Sequence, residues 1–404
     1  MTELAHDWLV ISHLDEDHIN GIGQLEEAKV TFTNVFLPHV DLVHSMFLML
    51  LRMAGLAAVG TATLDAIRIA GRLYAGAYGR VHIVVPGDPD TYQNAPRPDG
   101  LPDLMPPNIS APSELLDGAA RQRLAAGSGR FVSDTESICL DGVDWQFRFY
   151  SQEWHFPVLV QTIWNLPELD ALRVAINKLK LLGTGDGSAF TNEIQTALDT
   201  YITGAQATTA LRAIDPRHAA VTKKTSINSL LKMLYKAAPG LHDYNSSSLC
   251  MYAGPIGRTA ERRQWFNRQT SLAMRDHVER GSTRTVGWLG MGDAHFHTAD
   301  ELARFRNHYR GELRLLSTLM LPHHGSRHNY DSDRVQLHGL LASLPVCPAP
   351  ALVVASNPAH KKFRHPHTEV VETGNRYGVV HNVSLDARSV FEESIWTDCR
   401  CCCP

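Results

Sequence analysis

The sequence predicts an α/β fold, because strand-like segments alternate with helical segments over the last third of the chain. The predicted strands cover residues 248–253, 285–291, 313–321 and 351–356, and a helix is predicted over 299–309. Hydrophobic residues make up 44% of the 404 residues and charged residues 20%. This balance supports a packed core and excludes disordered, collagen-like and coiled-coil proteins. The net charge of −4 provides no global field that would hold a polyanion.

Strands are also predicted in the first part of the chain. Residues 8–23 predict a buried strand, then a loop and the start of a helix, and residues 80–85 predict a further strand. Residues 131–150 predict two antiparallel strands that an Asp-Gly turn at 141–142 connects.

Two segments interrupt this pattern and are predicted to be insertions into a single domain of residues 1–404. The first, 38–130, combines a dense apolar helical pattern with a proline-rich stretch typical of a surface loop. The second, 158–240, has a helical pattern. Residues 395–404 form a cysteine-rich tail, for which metal binding, acylation and a sequence artefact are left as alternatives.

No segment has the pattern of a membrane span or a secretory signal. The apolar stretch 45–61 is interrupted by Arg52 and is shorter than the roughly 18–20 apolar residues of a span, so it predicts a buried helix. The N-terminus lacks a basic region followed by an apolar one. We therefore expect a cytoplasmic protein without membrane contact.

Two imidazoles and two carboxylates follow the first predicted strand in an H-x-D-x-D-H spacing. They belong to His13, Asp15, Asp17 and His18. Such a cluster repels itself unless a cation compensates it, and a loop held by a strand is a common location for chemistry. The spacing predicts a metal site, although a solvated acidic loop is the alternative for any one of these residues.

Four later segments complete a recognisable series. They are NSSSLCM from Asn245, WLGMGDAHF around Asp293, LMLPHHGSRHN with His323 and His324, and ALVVASNPAHKKFRHPH with His365. Together with SHLDEDHINGI, these segments resemble, in order, the motifs of the metallo-β-lactamase-fold hydrolases, specifically the ComEC-type competence proteins. The similar segments cover about a quarter of the chain.

The resemblance implies an αββα sandwich with helical insertions and a centre of two divalent ions. By resemblance, Asp17 and His18 hold one ion, Asp293 bridges, and His13 and Asp15 hold the other. His323 or His324 completes the ligand set, and the sequence leaves that choice open. Asp15 stands where the commoner family form has histidine, and this harder ligand favours manganese, with zinc as the alternative.

Three of these residues are candidates for catalysis, and three others for contacts to phosphate. Asp17, His324 and His365 are the predicted catalytic residues, with a histidine as proton donor to the leaving oxygen. Ser326 and Arg327 follow the histidine pair in a turn that suits an anion, and Asn245 is a further candidate contact. A helix N-cap at Ser326 is the alternative interpretation.

The sequence departs from the family at its start, because only 12 residues precede His13. The first strands of the fold are therefore expected to be missing or reduced. A different start of the chain, or a protein partner that completes these strands, would also explain the departure.

The function predicted from these motifs is hydrolysis of phosphodiester bonds by metal-activated water, most simply by a nuclease with nucleic acid as substrate. One alternative uses the same centre on a small ester, lactone or nucleotide. Another is a non-catalytic, partner-binding subunit of a defence or stress system.

Overall fold

The computed structural model of the chain describes residues 4–14, 16–19, 21–38, 69, 73, 78–87, 131–140, 145–151, 248–256, 264–272, 275–283, 286–296, 298–327, 330, 335–346, 349–356, 364–386 and 389–397. The strands are β1 Leu4–Val10, β2 Val30–Pro38, β3 Arg80–Val85, β4 Phe131–Ser133, β5 Ser137–Leu140, β6 Trp145–Tyr150, β7 Cys250–Pro255, β8 Gln264–Leu272, β9 Arg275–Thr283, β10 Gly287–Gly290, β11 Leu316–Met320, β12 Ala351–Ala355, β13 Val380–Val383 and β14 Phe391–Thr397. The α-helices are α1 Glu16–Ile19, α2 Ile22–Glu27, α3 Ala299–His308, α4 Val335–Leu341 and α5 Thr368–Gly374, with 3₁₀ helices at Glu312–Leu315 and His323–Gly325.

The chain divides into two compact units. Unit 1 comprises Met1–Ile83, Asn94–Ile109 and Glu153–Ser247, and unit 2 comprises Val84–Gln93, Ser110–Gln152 and Ser248–Pro404. Strands β1 to β4 form a sheet in that order, and β3 crosses the boundary between the units.

Unit 1 begins with a parallel pair of strands. Strand β1 pairs with β2, and α1 and α2 lie between them in sequence, as the connection of parallel strands requires. Phe36 of β2 packs on Trp8 of β1 at a ring distance of 4.6 Å and stacks on His82 of β3 at 4.8 Å. His82 is buried and its Nε2 donates to Oδ1 of Asn34 at 2.9 Å, which gives this histidine a structural role.

Unit 2 contains a seven-stranded sheet in the order β13-β12-β11-β10-β7-β6-β5. Strands β10, β11, β12 and β13 are parallel neighbours, and α3, α4 and α5 supply their connections. The other strands, β5, β6 and β7, are antiparallel and join the sheet through the β7–β10 pair. Mixed sheets of this kind are common in α/β and α+β folds.

Helix α3 is anchored at both ends. At its N-terminus Thr298 and Glu301 form a reciprocal capping box, which satisfies two backbone N–H groups. Its buried face includes Phe305, which lies edge-on to Phe296 at 5.0 Å and to Tyr309 at 5.1 Å. These rings belong to a continuous apolar cluster that also contains Leu319 of β11.

A polar network borders this core. Arg148 donates to Glu312 at 2.8 Å, and the Tyr309 hydroxyl reaches the carbonyl of Arg148 at 3.1 Å. His308 Nε2 donates to the carbonyl of Phe149 at 2.7 Å. Burial, and then the charge of Arg148, lowers the pKa of His308 to about 4, so its imidazole is neutral at pH 7.

A third sheet of unit 2 has the order β14-β8-β9 and is antiparallel throughout. Glu393 of β14 accepts hydrogen bonds from Ser317 at 3.0 Å and from Thr318 at 2.9 Å. Both donors lie on β11, so one carboxylate connects the third sheet to the seven-stranded sheet.

The structure confirms the α/β class and corrects several boundaries. Segment 131–140 is not one strand, because residues 134–135 form a turn, and Asp134 accepts from the backbone of Gly87 and Ser151 there. Segment 313–321 begins as a 3₁₀ helix, and β11 starts only at Leu316. Strand β2, the β8–β9 hairpin, β13 and β14 are additional to the predicted strands.

Most of the predicted insertions lie outside the described residues. Within 38–130, the structure describes strand β3, which confirms the strand predicted at 80–85. All of 158–240 and the cysteines of the tail lie outside the described part. None of the helices described has the length and hydrophobicity that crossing a bilayer requires.

Candidate functional site

Three neighbouring parallel strands of unit 2 are each followed by predicted site residues. Asp293 follows β10, His323 and His324 follow β11, and His365 follows β12. Because the carboxyl ends of parallel strands lie at one edge of a sheet, the three loops converge, and this edge is where open α/β sheets bind ligands. A backbone hydrogen bond from His323 N to Gly292 O at 2.9 Å joins two of the loops.

Asp293 is the buried acid of this edge, with 2% of its surface exposed. Its backbone N–H donates to Ser248 Oγ at 3.0 Å, and its Oδ2 lies 3.6 Å from Nε2 of His323. A buried carboxylate is stable only when hydrogen bonds and a cation compensate it. A protonated His323 or a metal ion meets that requirement.

The backbone after β11 has an uncommon conformation. Three consecutive residues have positive φ, namely His323 at 47°, His324 at 54° and Gly325 at 74°. A Cβ at Gly325 would lie 2.7 Å from Cβ of Pro366, so glycine is required there. Non-glycine residues in the left-handed region are strained by roughly 1–2 kcal/mol, and such residues concentrate at functional sites.

This conformation brings several imidazoles together. The ring of His323 lies 5.7 Å from that of His365 and 6.1 Å from that of His324. His365 and His367 are 4.8 Å apart, ring to ring. The structure thus gathers His323, His324 and His365, as the sequence predicts, and adds His367.

Hydrogen bonds fix the tautomers of two of these histidines. His324 Nδ1 lies 2.7 Å from the carbonyl of Ala355, which can only accept, so Nδ1 carries the proton. The backbone N–H of Arg327 donates to Nδ1 of His367, and that nitrogen lies 3.2 Å from Nδ1 of His365. His365 Nδ1 is therefore the donor of that pair. In both His324 and His365 the neutral ring then has its lone pair on Nε2, the arrangement found in metal-binding histidines.

The predicted phosphate contacts have other partners here. Arg327 is exposed and pairs with Glu369 at 3.2 Å. Hydrogen bonding to its own backbone and then to Arg327 lowers the pKa of Glu369. Ser326 is buried and follows the 3₁₀ helix His323–Gly325 as its C-terminal cap. The alternative of a helix N-cap at Ser326 stays a prediction, because residues 328–329 lie outside the described residues. The N-cap position of α5 is His367.

In unit 1, the first motif forms a histidine pair. The rings of His13 and His18 lie 4.0 Å apart, His13 is fully buried and His18 is half-buried in α1. Ser12 Oγ lies 3.1 Å from Nδ1 of His13 and 3.2 Å from Nδ1 of His18. Ser12 directly precedes the first histidine of the motif but was not among the predicted site residues.

The single hydroxyl of Ser12 restricts the protons on both rings. Its oxygen can accept two N–H groups, or it can accept one and donate to the other. When it accepts from both, the neutral His13 and His18 rings both have their lone pairs on Nε2. This is the state in which the pair can bind an ion.

Three predicted residues cannot be placed. Asp15 and Asn245 lie outside the described residues. Asp17 is part of α1, but its side chain is not described.

The donors that can be described suit a divalent metal. Unit 1 offers two imidazoles, and unit 2 offers a buried carboxylate with further imidazoles. Mixed imidazole and carboxylate sets bind zinc, manganese and related ions. The residues therefore fit the metal centre that the resemblance implies.

We expect His324→Gly to be more stable than His324→Ala by about 1 kcal/mol, because the left-handed backbone favours glycine. Both variants lose the same imidazole, so their difference reports on the backbone alone. The free energies of unfolding in urea measure it. At the exposed helical Arg304 the order is expected to reverse, with alanine more stable than glycine. An equal or more stable His324→Ala would contradict the left-handed conformation.

Comparisons of the chain with protein-family models, with curated proteins and with solved structures give no match. The interpretation of the site therefore depends on its own residues.

Proposed function

We propose that this protein is a metal-dependent hydrolase of phosphodiester bonds, and most simply a nuclease. The observation that carries the proposal is the loop edge of unit 2, where β10, β11 and β12 end in Asp293, His323–His324 and His365. Three consecutive parallel strands thus supply a buried carboxylate and imidazoles whose tautomers are fixed. Within unit 1, His13 and His18 form a pair of imidazoles.

In this proposal, which follows the resemblance, the chain would bind two ions of manganese or zinc. Asp17, His18 and Asp293 would be ligands of one ion, and His13 with Asp15 would be ligands of the other. His324 is the better candidate of the histidine pair for a ligand, because its Nδ1 proton is held by Ala355. His323 remains next to the carboxylate of Asp293.

When bound, such a centre lowers the pKa of water and neutralises the charge that develops on phosphate oxygens. The chain's own residues perform the remaining tasks. Ser248 holds the backbone of Asp293 and so fixes the loop after β10. His365 donates a hydrogen bond from its Nδ1–H to His367. Its Nε2 is therefore the atom that would take up a proton and pass it to the leaving oxygen.

The proposal is tested by incubating the purified full chain with Mn²⁺ or Zn²⁺ and several substrates. Single-stranded DNA, double-stranded DNA and RNA test a nuclease, bis-aryl phosphate tests phosphodiester cleavage, and an aryl lactone tests the small-ester alternative. We expect cleavage of the phosphodiesters that a chelator stops and added metal restores. Cleavage of the lactone alone would instead assign the site to hydrolysis of small molecules. Absence of turnover on every substrate, with metal bound, would favour the partner-binding role.

Ser12→Ala is expected to lower metal affinity by about 10-fold to 100-fold, the usual effect of removing a group that orients metal-binding histidines. The serine contacts both His13 and His18, so its loss removes a hydrogen bond that orients each ring. Metal titration followed by calorimetry measures the affinity. Ser137→Ala, at a half-buried serine of β5, is the matched control and should bind metal like the wild type. Unchanged affinity in Ser12→Ala would remove His13 and His18 from the proposed ligand set.

A further inference from the structure

A basic cavity lies in unit 2 at the C-terminal end of α3. Its volume is about 460 Å³, within the range of roughly 300–1,000 Å³ that is typical of small-molecule sites. Its walls are formed by Ala303, Arg306, Asn307, Arg310, Leu313, Arg314 and Ser343. Three of these seven residues are arginines and none is acidic.

The three arginines come from three successive parts of the chain. Arg306 lies in the last turn of α3, Arg310 follows the end of the helix, and Arg314 lies in the 3₁₀ helix Glu312–Leu315. All three are exposed. In the part of the chain that the structure describes, none of their guanidinium groups forms an ion pair or a side-chain hydrogen bond.

The helix dipole explains only one of these charges. A cation in the last turn of a helix is stabilised by the backbone carbonyls there, which accounts for Arg306. The effect falls off beyond the last turn and does not explain why Arg310 and Arg314 line the same cavity. Like charges four residues apart, such as Arg306 and Arg310, repel each other, and a bound anion would relieve this repulsion.

The shape of the cavity indicates the kind of anion. Arginine presents a planar fork of donors that fits phosphate in a bidentate manner, and Asn307 and Ser343 add polar groups. Leu313 is buried and gives the cavity an apolar wall. A concave site with three cations suits several phosphates on one compact molecule, whereas a nucleic-acid backbone is more often followed by an extended basic groove.

We propose that the Arg306–Arg310–Arg314 cavity binds a compact ligand that carries two or more phosphate groups. The cavity is separate from the proposed metal centre. None of the residues that line it belongs to that centre, and they lie on the C-terminal half of α3 and the segments after it. The proposal does not depend on hydrolase activity.

Calorimetric titration of the full chain with inorganic tripolyphosphate, in low salt and without added divalent ions, tests the cavity. We expect saturable binding that weakens by about 10-fold for each arginine replaced by glutamine, as the loss of a charge-assisted hydrogen bond predicts. The variants are Arg306→Gln, Arg310→Gln and Arg314→Gln, singly and together. Arg304→Gln is the matched control, since Arg304 is exposed on the same helix but does not line the cavity.

Further ligands identify the source of the phosphates and the outcomes that would overturn the proposal. Tighter binding of ATP than of tripolyphosphate supports a nucleoside phosphate, and the reverse supports an inorganic polyphosphate. Binding of a single-stranded oligonucleotide without binding of tripolyphosphate would reassign the surface to nucleic acid. Wild-type affinity in folded single variants and the triple variant, with unfolding midpoints as the check on folding, would overturn the proposal. So would an equal loss in Arg304→Gln.

Discussion

Asp293→Asn is expected to lower kcat/KM for metal-dependent phosphodiester cleavage by more than about 100-fold, beyond the usual effect of removing a group that only orients ligands. Asp293 is the described carboxylate at the loop edge of unit 2, and it is buried beside His323. Asparagine has nearly the same shape and keeps the backbone N–H that donates to Ser248. The substitution therefore removes the charge and leaves the loop in place.

The stability of Asp293→Asn separates a functional loss from unfolding. A buried charge destabilises the metal-free protein, so the variant should unfold at the same temperature as the wild type or higher. Excess metal, at about 100 times its Kd, should stabilise the wild type by about 2.7 kcal/mol and the variant much less. Asp300→Asn, at the exposed start of α3, should behave like the wild type in both assays. Full activity in Asp293→Asn would refute the proposed centre.

Acidification from pH 6.5 to pH 4 is expected to destabilise the protein through His308 by an amount on the order of 3 kcal/mol. Burial, followed by the charge of Arg148, lowers the pKa of His308 to about 4, whereas the unfolded chain titrates near 6.5. Between these values the unfolded state binds more protons than the folded state. Stability is therefore fully present above pH 6.5 and is lost as pH falls through the folded pKa.

His308→Gln tests this pH dependence, because glutamine can still donate to the carbonyl of Phe149 but does not titrate. Urea unfolding at several pH values should show a shallower slope for the variant than for the wild type. Asp134 works in the opposite direction, since burial raises its pKa in the folded state, so the difference between the two proteins isolates His308. Asn307→Gln on the same helix should keep the wild-type slope. Parallel slopes for His308→Gln and the wild type would contradict the prediction.

Local patterns predicted most of the parallel core of unit 2, with the exception of β13. The predicted strands 285–291 and 351–356 contain β10 and β12, and the predicted helix 299–309 matches α3 to within one residue. The β8–β9 hairpin escaped prediction because its strands, QWFNRQTSL and RDHVERGST, have no regular alternation of apolar and polar residues. Strand β8 is instead stabilised by its pairing with β14, which is distant in sequence.

The candidate site, too, was predictable only in part. The order of motifs predicted that Asp293, His323, His324 and His365 follow strands, and in unit 2 these residues lie at one edge of the sheet. The left-handed backbone at His323 and His324 was not predictable, because it depends on how the loop closes against distant segments. The arginine cavity was not predictable either, since Arg314 and Arg306 line the same cavity only because the chain turns after the end of α3.

The pairing of β14 with β8 has a consequence for synthesis of the protein. Strand β8 is the middle strand of its sheet and receives its second neighbour only from Phe391–Thr397, and Glu393 on the same strand connects to β11. Such non-local pairing makes folding slow and leaves strand edges exposed until it forms. During synthesis, the third sheet of unit 2 therefore cannot be completed until Phe391–Thr397 has left the ribosome, and β8 keeps an open edge until then.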